Sequence, residues 1–482
     1  MLGFADYSRE SDLTPMGDSA AYHAIGTREL NRVGKPSPAL TTVSWVWWLD
    51  PPIIFACTIG ITLVVAVVTP SEVFRQLGTP KYVEGWHLGL GVFGIAAFIA
   101  GVRLSSLWPV THSTPLDSRW DARLQGWFYV ATGLSLVGYV VWTVVGVAHG
   151  FNFSLMAQMI WSSDEGVADM LKNDVLKTVP GITTLSQLGP VAALLGSWLA
   201  LRRVPRVLPL LVLVFLFTFA RAFFRSERLA LIELVVPSFV LVLRVLWVGQ
   251  RVSPWWSSVL RGLPVLGVLA LFLLFGSFEF FRSWQYYRER TESYAQFAMN
   301  RFAGYYTTAH NNGAMAVGSA RHLPLPYFTL QSYWQFPLIV NSPLSYQSIT
   351  GIDPDDFCQR MYDRYGAGEF NNEGGLFAPY LDFGLTGFAV FFLLYGWLVG
   401  GFYRGFLSGS FMGVIGYPIL FLSILDLPRI VYVCETRAFP ILVMLALLGY
   451  DIARRAAKER SAHRTGGSEE ASLVEPRGDE QD

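Results

Sequence analysis

The chain is short of cysteine, of lysine and of charge in general, and each shortage closes off a class of protein. Among 482 residues there are three cysteines, Cys57, Cys358 and Cys434. They form no CxxC pair and no metal-ligand spacing, and an odd count excludes a fully paired disulfide framework within one chain. Asp, Glu, Lys and Arg make up 15% of the residues and cancel to zero net charge, so no global field points to nucleic acid as a partner. Lysine is confined to Lys35, Lys81, Lys172, Lys177 and Lys458; the remaining basic residues are arginine. No His-x-x-x-His spacing occurs, and neither a divalent metal nor another cofactor is expected. No internal repeat is visible, which gives an inverted-repeat transporter no support. The first 42 residues are polar, so no cleavable signal peptide is expected and the first span must act as its own insertion signal.

What the chain has in abundance is apolar sequence. It is 52% hydrophobic, with a mean hydropathy of +0.39. Runs of about 18 apolar residues, the length that crosses a bilayer core, recur along it. The expected fold is an all-α polytopic membrane protein with about ten spans. They fall near 52–69, 87–104, 126–148, 184–201, 205–222, 229–248, 260–280, 377–402, 410–425 and 437–451. Arg221, Arg225, Glu227 and Arg228 interrupt the apolar run 205–248, which predicts a tight hairpin there. The organisation is then a polar N-terminal tail (1–42), seven spans (43–281), a large loop (282–375), three spans (376–452) and a charged, disordered tail (453–482).

Short-loop arginines set the orientation. With a cytoplasmic N-terminus, the inside loops hold Arg119, Arg123, Arg202, Arg203, Arg206, Arg251, Arg261 and Arg404, and the tail adds Arg454, Arg455, Lys458, Arg460 and Arg464. Both termini are expected inside and the 282–375 loop outside. Two outer hairpins break the rule, one with Arg221, Arg225 and Arg228, the other with Arg429 and Arg437 beside Asp426 and Glu435. Snorkelling to headgroups would explain them. Converging guanidinium groups would equally suit a phosphate, which they bind bidentately.

The large loop is ordered by composition, carrying Trp284, Tyr286, Tyr287, Tyr294, Phe302, Tyr305, Tyr306, Tyr327, Tyr333, Trp334 and Phe336. Spacing predicts a helix over 283–308 that ends in the polar stretch Thr307 to Gly313. Residues 326–340 look like a short interfacial or re-entrant segment, and Asp353-Pro354-Asp355-Asp356 signals the start of a helix through Tyr362. Any one aromatic here fits an interfacial belt; together with arginines and amides they also suit carbohydrate. His310 could act as a general base or be an ordinary hydrogen-bonding histidine. Glu373 and Asp382 enter the eighth span, where packing glycines and an acid favouring the helix dipole are the plainer explanation.

The run Asn371-Asn372-Glu373-Gly374-Gly375, followed by Tyr380-Leu381-Asp382-Phe383-Gly384-Leu385-Thr386-Gly387, resembles the bacterial oligosaccharide repeat-unit polymerases, the Wzy-type or O-antigen polymerase family. Arg225-Ser226-Glu227-Arg228-Leu229-Ala230-Leu231 is similar to the turn before one of their mid-chain helices, and the late outer loop and basic tail match their architecture. The resemblance covers roughly 180–450; an Arg-x10-Gly pattern of some relatives is not matched, Arg301 to Gly313 being one residue too long. It implies a metal-independent glycosyltransferase in the bacterial cytoplasmic membrane that polymerises polyprenyl-diphosphate-linked repeat units at the outer face for a surface polysaccharide. Its implied partners are those lipid-linked oligosaccharides, membrane lipids, a flippase and a chain-length regulator. The candidate catalytic residues are Glu373, His310 and Asp382. Candidate substrate-binding residues are Arg225, Arg228, Arg282, Arg301, Tyr305, Asn371, Asn372 and Arg429. An O-antigen-ligase-like transferase, or a transporter or flippase of lipid-linked glycan, is the alternative.

Overall fold

The computed structural model describes residues 46–107, 114–161, 170, 174–179, 181–225, 227–247, 254–280, 284, 288, 293–319, 323–366 and 372–472. Among these the chain is helical, without a named strand, and eight helices are long and apolar enough to cross a membrane. This is an all-α membrane protein.

Six of the long apolar helices precede the large loop's own helices without complication: α1 (Pro51–Val68), α3 (Gly85–Ser105), α4 (Asp121–Ala148), α7 (Val207–Arg225), α8 (Arg228–Trp247) and α9 (Pro254–Glu279). A seventh, α6 (Gly189–Leu201), is lengthened by the 3-10 turn Thr183–Leu188. Short helices α2 (Ser71–Gln76) and α5 (Phe153–Trp161) lie between them. The large loop folds into α10 (Tyr294–Gly318), α11 (Gln331–Trp334), α12 (Pro337–Val340), α13 (Tyr346–Thr350) and α14 (Pro354–Tyr365). The eighth long helix, α15 (Ala378–Ser408), then leads to α16 (Phe411–Asp426) and α17 (Phe439–Ser472).

Two buried clusters make the interior, and α16 belongs to both. Its Val414, Ile415, Ile419 and Leu422 join residues of α4, α6, α7 and α17, while its Tyr417, Leu420, Phe421 and Ile424 join α1, α3 and α15. Of its 16 residues, 14 are buried, so it is a central strut rather than a lipid-facing span. The seam between α3 and α15 is made of glycine. A Cβ on Gly101 would overlap the Leu393 carbonyl, and one on Gly396 would overlap the Phe98 carbonyl. Small residues let two backbones approach this closely, and dispersion and shape then hold them in an apolar solvent.

The α7–α8 hairpin is as tight as the arginine interruption predicts, with Glu227 N donating to Ala222 O at 2.9 Å. Asp353 caps α14 as expected, accepting from Asp355 N at 3.0 Å and Asp356 N at 3.3 Å. The expected helix over 283–308 is instead α10, shifted towards the C-terminus, and it does not stop at Thr307 to Gly313. Each amide in that stretch is satisfied from outside the helix. Asn311 Oδ1 accepts from Tyr82 N and Val83 N, and Asn312 Nδ2 donates to Asn372 O at 3.1 Å. Gly313 faces the Glu373 carbonyl and the Phe377 ring with no room for a Cβ, so it is a packing glycine and not a stop. Residues 326–340 form the turn before α11 and the helices α11 and α12. Helix α17 continues well past Tyr450, where composition predicts an unstructured tail to begin. There Asp451 holds Arg123 at 2.5 Å and Arg455 at 3.1 Å, tying its first charged turn to α4.

Candidate functional site

At the end of the bundle where the α7–α8 hairpin, the end of α9, α10 and the segment after α16 meet, six arginines converge on four carboxylates. The first group is local. Glu227, in the α7–α8 hairpin, takes Arg225 Nε at 2.8 Å and Arg221 Nη2 at 3.3 Å. Burial pushes the Glu227 carboxyl up, but the guanidinium charges of Arg221, Arg225 and Arg437 outweigh it and hold the group down at about 2. The second group is made by tertiary structure. Glu279, at the end of α9 and almost fully buried, accepts from Arg228 at 2.6 Å and Arg301 at 3.3 Å. Arg228 also lies 3.8 Å above the Phe275 ring.

Two more pairs close the ring. Arg437 grips Glu233 through two parallel bonds of 2.6 and 2.9 Å. Arg429 bonds Asp426 at 3.0 Å and the Tyr305 hydroxyl at 2.7 Å, and its guanidinium lies 4.2 Å from the Tyr305 ring centre. Neither Arg429 Nε nor Asp426 Oδ2 has a hydrogen-bond partner in the protein, so Arg429 keeps one donor to give. Six guanidinium groups (Arg221, Arg225, Arg228, Arg301, Arg429, Arg437) are paired with four carboxyl groups (Glu227, Glu233, Glu279, Asp426), a formal excess of two positive charges before the neighbouring Glu373 and Glu435 are counted. In surroundings of low dielectric an uncompensated cationic excess is a strong attractor for an anion.

Two further acids stand beside this ring. Glu373, just before α15, lies deep among protein atoms yet keeps accessible surface, and so lines a crevice. Burial, aided by the Asp382 charge, raises its carboxyl to about 7, against a backbone amide and the Tyr362 hydroxyl, which donates to it at 3.4 Å. Glu435 is raised to about 8, by burial first and then by the Glu373 charge. The Gln331 amide, turned so that its nitrogen faces the acid, donates to both Glu435 oxygens at 2.9 and 2.8 Å. A carboxylate near neutrality can take a proton from a hydroxyl and return it, which an ordinary surface glutamate does poorly.

The sequence candidates separate on this geometry. Arg225, Arg228, Arg301, Tyr305 and Arg429 are brought together, and Glu373 stands near them. Asn372 contributes its backbone carbonyl to Asn312. Arg282 and Asn371 lie outside the described residues. His310 sits away from the arginines, fully buried against α1, where Nε2 meets the Thr62 hydroxyl at 2.9 Å. Burial lowers its imidazole to about 3, so it stays neutral and packs as a core residue. Asp382 is taken up by the loop: one oxygen accepts from Tyr327 N at 2.8 Å and Phe328 N at 3.2 Å, the other from the amide and hydroxyl of Thr329, both at 2.6 Å. Gly384, two residues on, has φ +67° and breaks α15 immediately after this clip. Sequence reading did not single out Glu279, and it gave Glu233, Glu435 and Tyr362 no role in the site. The available signal was an acid placed inside or at the tip of an apolar span, which is costly unless paired.

Comparison with protein-family models, with curated proteins and with solved structures finds no match for this chain.

Proposed function

We propose that the chain is a membrane glycosyltransferase that polymerises polyprenyl-diphosphate-linked oligosaccharide repeat units at the outer face of the bacterial cytoplasmic membrane. In this reading α16 and the first half of α17 complete ten spans, both termini are cytoplasmic, and the arginine ring faces outward. The observation that carries it is the ring's cationic excess set beside a crevice acid poised near 7. Arg228 and Arg429 hold the diphosphate, with Arg225 behind them, and disperse the charge that grows on it as it leaves. Glu373, ionised, takes the proton of the acceptor hydroxyl. The bond from the sugar's anomeric carbon to the diphosphate oxygen breaks, a bond to the acceptor oxygen forms, and the proton ends on Glu373. Packing of sugars against Tyr305 and the neighbouring rings would complete the groove.

The test is deletion of the gene with size analysis of surface glycans, followed by complementation with Arg228→Ala and Glu373→Gln. Loss of long chains with single repeat units persisting supports polymerisation, and failure of both variants to restore them supports the site. Complete long chains held on polyprenyl lipid would replace this reading with a ligase. Repeat units retained on the inner side would replace it with a flippase.

A further inference from the structure

The stretch 323–352 contains no Asp, Glu, Lys, Arg or His. It is nevertheless folded with care. Tyr327, Trp334 and Tyr346 form their own buried core, fixed by Trp334 Nε1 donating to Pro326 O at 2.7 Å and the Tyr346 hydroxyl donating to Leu325 O at 2.9 Å. Folding therefore buries these three rings and leaves mainly aliphatic side chains outside. Leu338 is 75% exposed, Leu344 56% and Ile349 53%, with Tyr333 and Val340 exposed beside them. An apolar patch of this kind on a segment without a single charge is not a surface built for water.

The attachment of the segment says which solvent it was built for. Gln335 Oε1 accepts from Thr436 Oγ1 at 2.7 Å, and the Phe336 ring packs 5.0 Å from that of Phe439, the first residue of α17. Val443 and Leu447 on α17 are exposed in turn, one and two turns further along the helix, facing away from the bundle. The patch thus adjoins the exposed apolar face of α17. The polar groups within it are Asn341, Ser342, Ser345, Gln347 and Ser348, uncharged donors and acceptors of the sort that tolerate the headgroup boundary. A docking face for another protein would carry a polar rim, in which charged residues are normal.

We propose that residues 330–349 form a monotopic foot seated in the lipid leaflet on the large-loop side, with Leu338, Val340, Leu344 and Ile349 among the acyl chains. The foot is joined to the cleft by the Asp382 clip and by the bond from Gln331 to Glu435, so lipid contact fixes the height at which the cleft's acids sit. This inference does not depend on the glycosyltransfer reading. It is tested with the full chain carrying Cys57→Ser, Cys358→Ser and Cys434→Ser. Single nitroxide labels go at Leu338→Cys, Val340→Cys or Ile349→Cys, in phosphatidylcholine–phosphatidylglycerol vesicles. Collision with oxygen and with a water-soluble nickel chelate is read against Leu447→Cys on α17 and Asp356→Cys on α14. The foot predicts oxygen access like position 447 and loss of the nickel collisions seen at 356. Nickel access like that at 356 overturns the proposal. Low access to both reagents also overturns it, because protein and not lipid then covers the patch. The use of three reporter sites keeps the test open should one label prevent folding.

Discussion

Changing Asp382 to asparagine separates a structural acid from a catalytic one. The carboxylate accepts four hydrogen bonds, two on each oxygen, from Tyr327 N, Phe328 N, Thr329 N and Thr329 Oγ1. Asn keeps the shape but supplies one acceptor oxygen, so its NH₂ must face either two backbone amides or the Thr329 pair. At least two bonds to a charged acceptor are lost, and a donor is set against a donor. With hydrogen bonds to charged groups worth roughly 1.5–3 kcal/mol each, and part of the loss recovered by rotation of the threonine hydroxyl, the turn before α11 should loosen by about 2–3 kcal/mol. That corresponds to roughly 30- to 150-fold faster hydrogen exchange at the amides of 327–329, since about 1.4 kcal/mol is tenfold. The assay is exchange with mass-spectrometric readout on the reconstituted protein, and amides in the middle of α3 serve as the unaffected reference. Unchanged exchange at 327–329 in the Asn variant would refute the clip, and a loss of glycan synthesis without any local loosening would return Asp382 to the catalytic list.

Gly101→Val or Gly396→Val should lower the unfolding temperature sharply or abolish accumulation in membranes, because the new side chain meets carbonyl backbone across the α3–α15 seam; Gly401→Ala, with open space around it, should behave as the parent. Replacing Glu279 by Ala strands Arg228 and Arg301 without their shared carboxylate and should cost about 3–5 kcal/mol in chemical denaturation, with Glu279→Asp recovering part of it. Glu373 binds its proton more tightly folded than unfolded, its carboxyl standing at about 7 against an ordinary value near 4.5. Its contribution to stability is therefore complete below the unfolded value and is lost as pH rises through the folded one. Thermal stability should fall between pH 5 and about 7 in the parent and lose that component in Glu373→Gln, while transfer activity should rise over the same window as the base ionises.

What could be read from the sequence, and what could not, divides along local and tertiary lines. The long spans, the α7–α8 hairpin and the start of α14 were legible because length, apolarity and cap chemistry lie within a few consecutive residues. Thr307 to Gly313 reads locally as a helix end, yet the helix runs on because Tyr82, Val83, Thr62 and Asn372 bring partners from distant segments. The arginines were recognisable as out of place at the tips of apolar runs. Glu233 lies 204 residues from Arg437, and Glu279 lies 51 from Arg228 and 22 from Arg301; no spacing rule reaches so far. Hydropathy also cannot distinguish a helix that faces lipid from one that faces protein, since both are apolar.

That blindness matters most for α16, and it bears on how the molecule is made. A helix of 16 residues is about 24 Å long, shorter than a hydrocarbon core of roughly 30 Å. Its seat is lined chiefly by α15, α8 and α1, all of which leave the ribosome before it. Until α16 arrives those helices surround a groove in place of a core. Assembly is thus gated late: the bundle becomes stable when the penultimate helix is slotted in, and a nascent chain stopped before Phe411 would present to cellular quality control a ring of spans with its keystone missing.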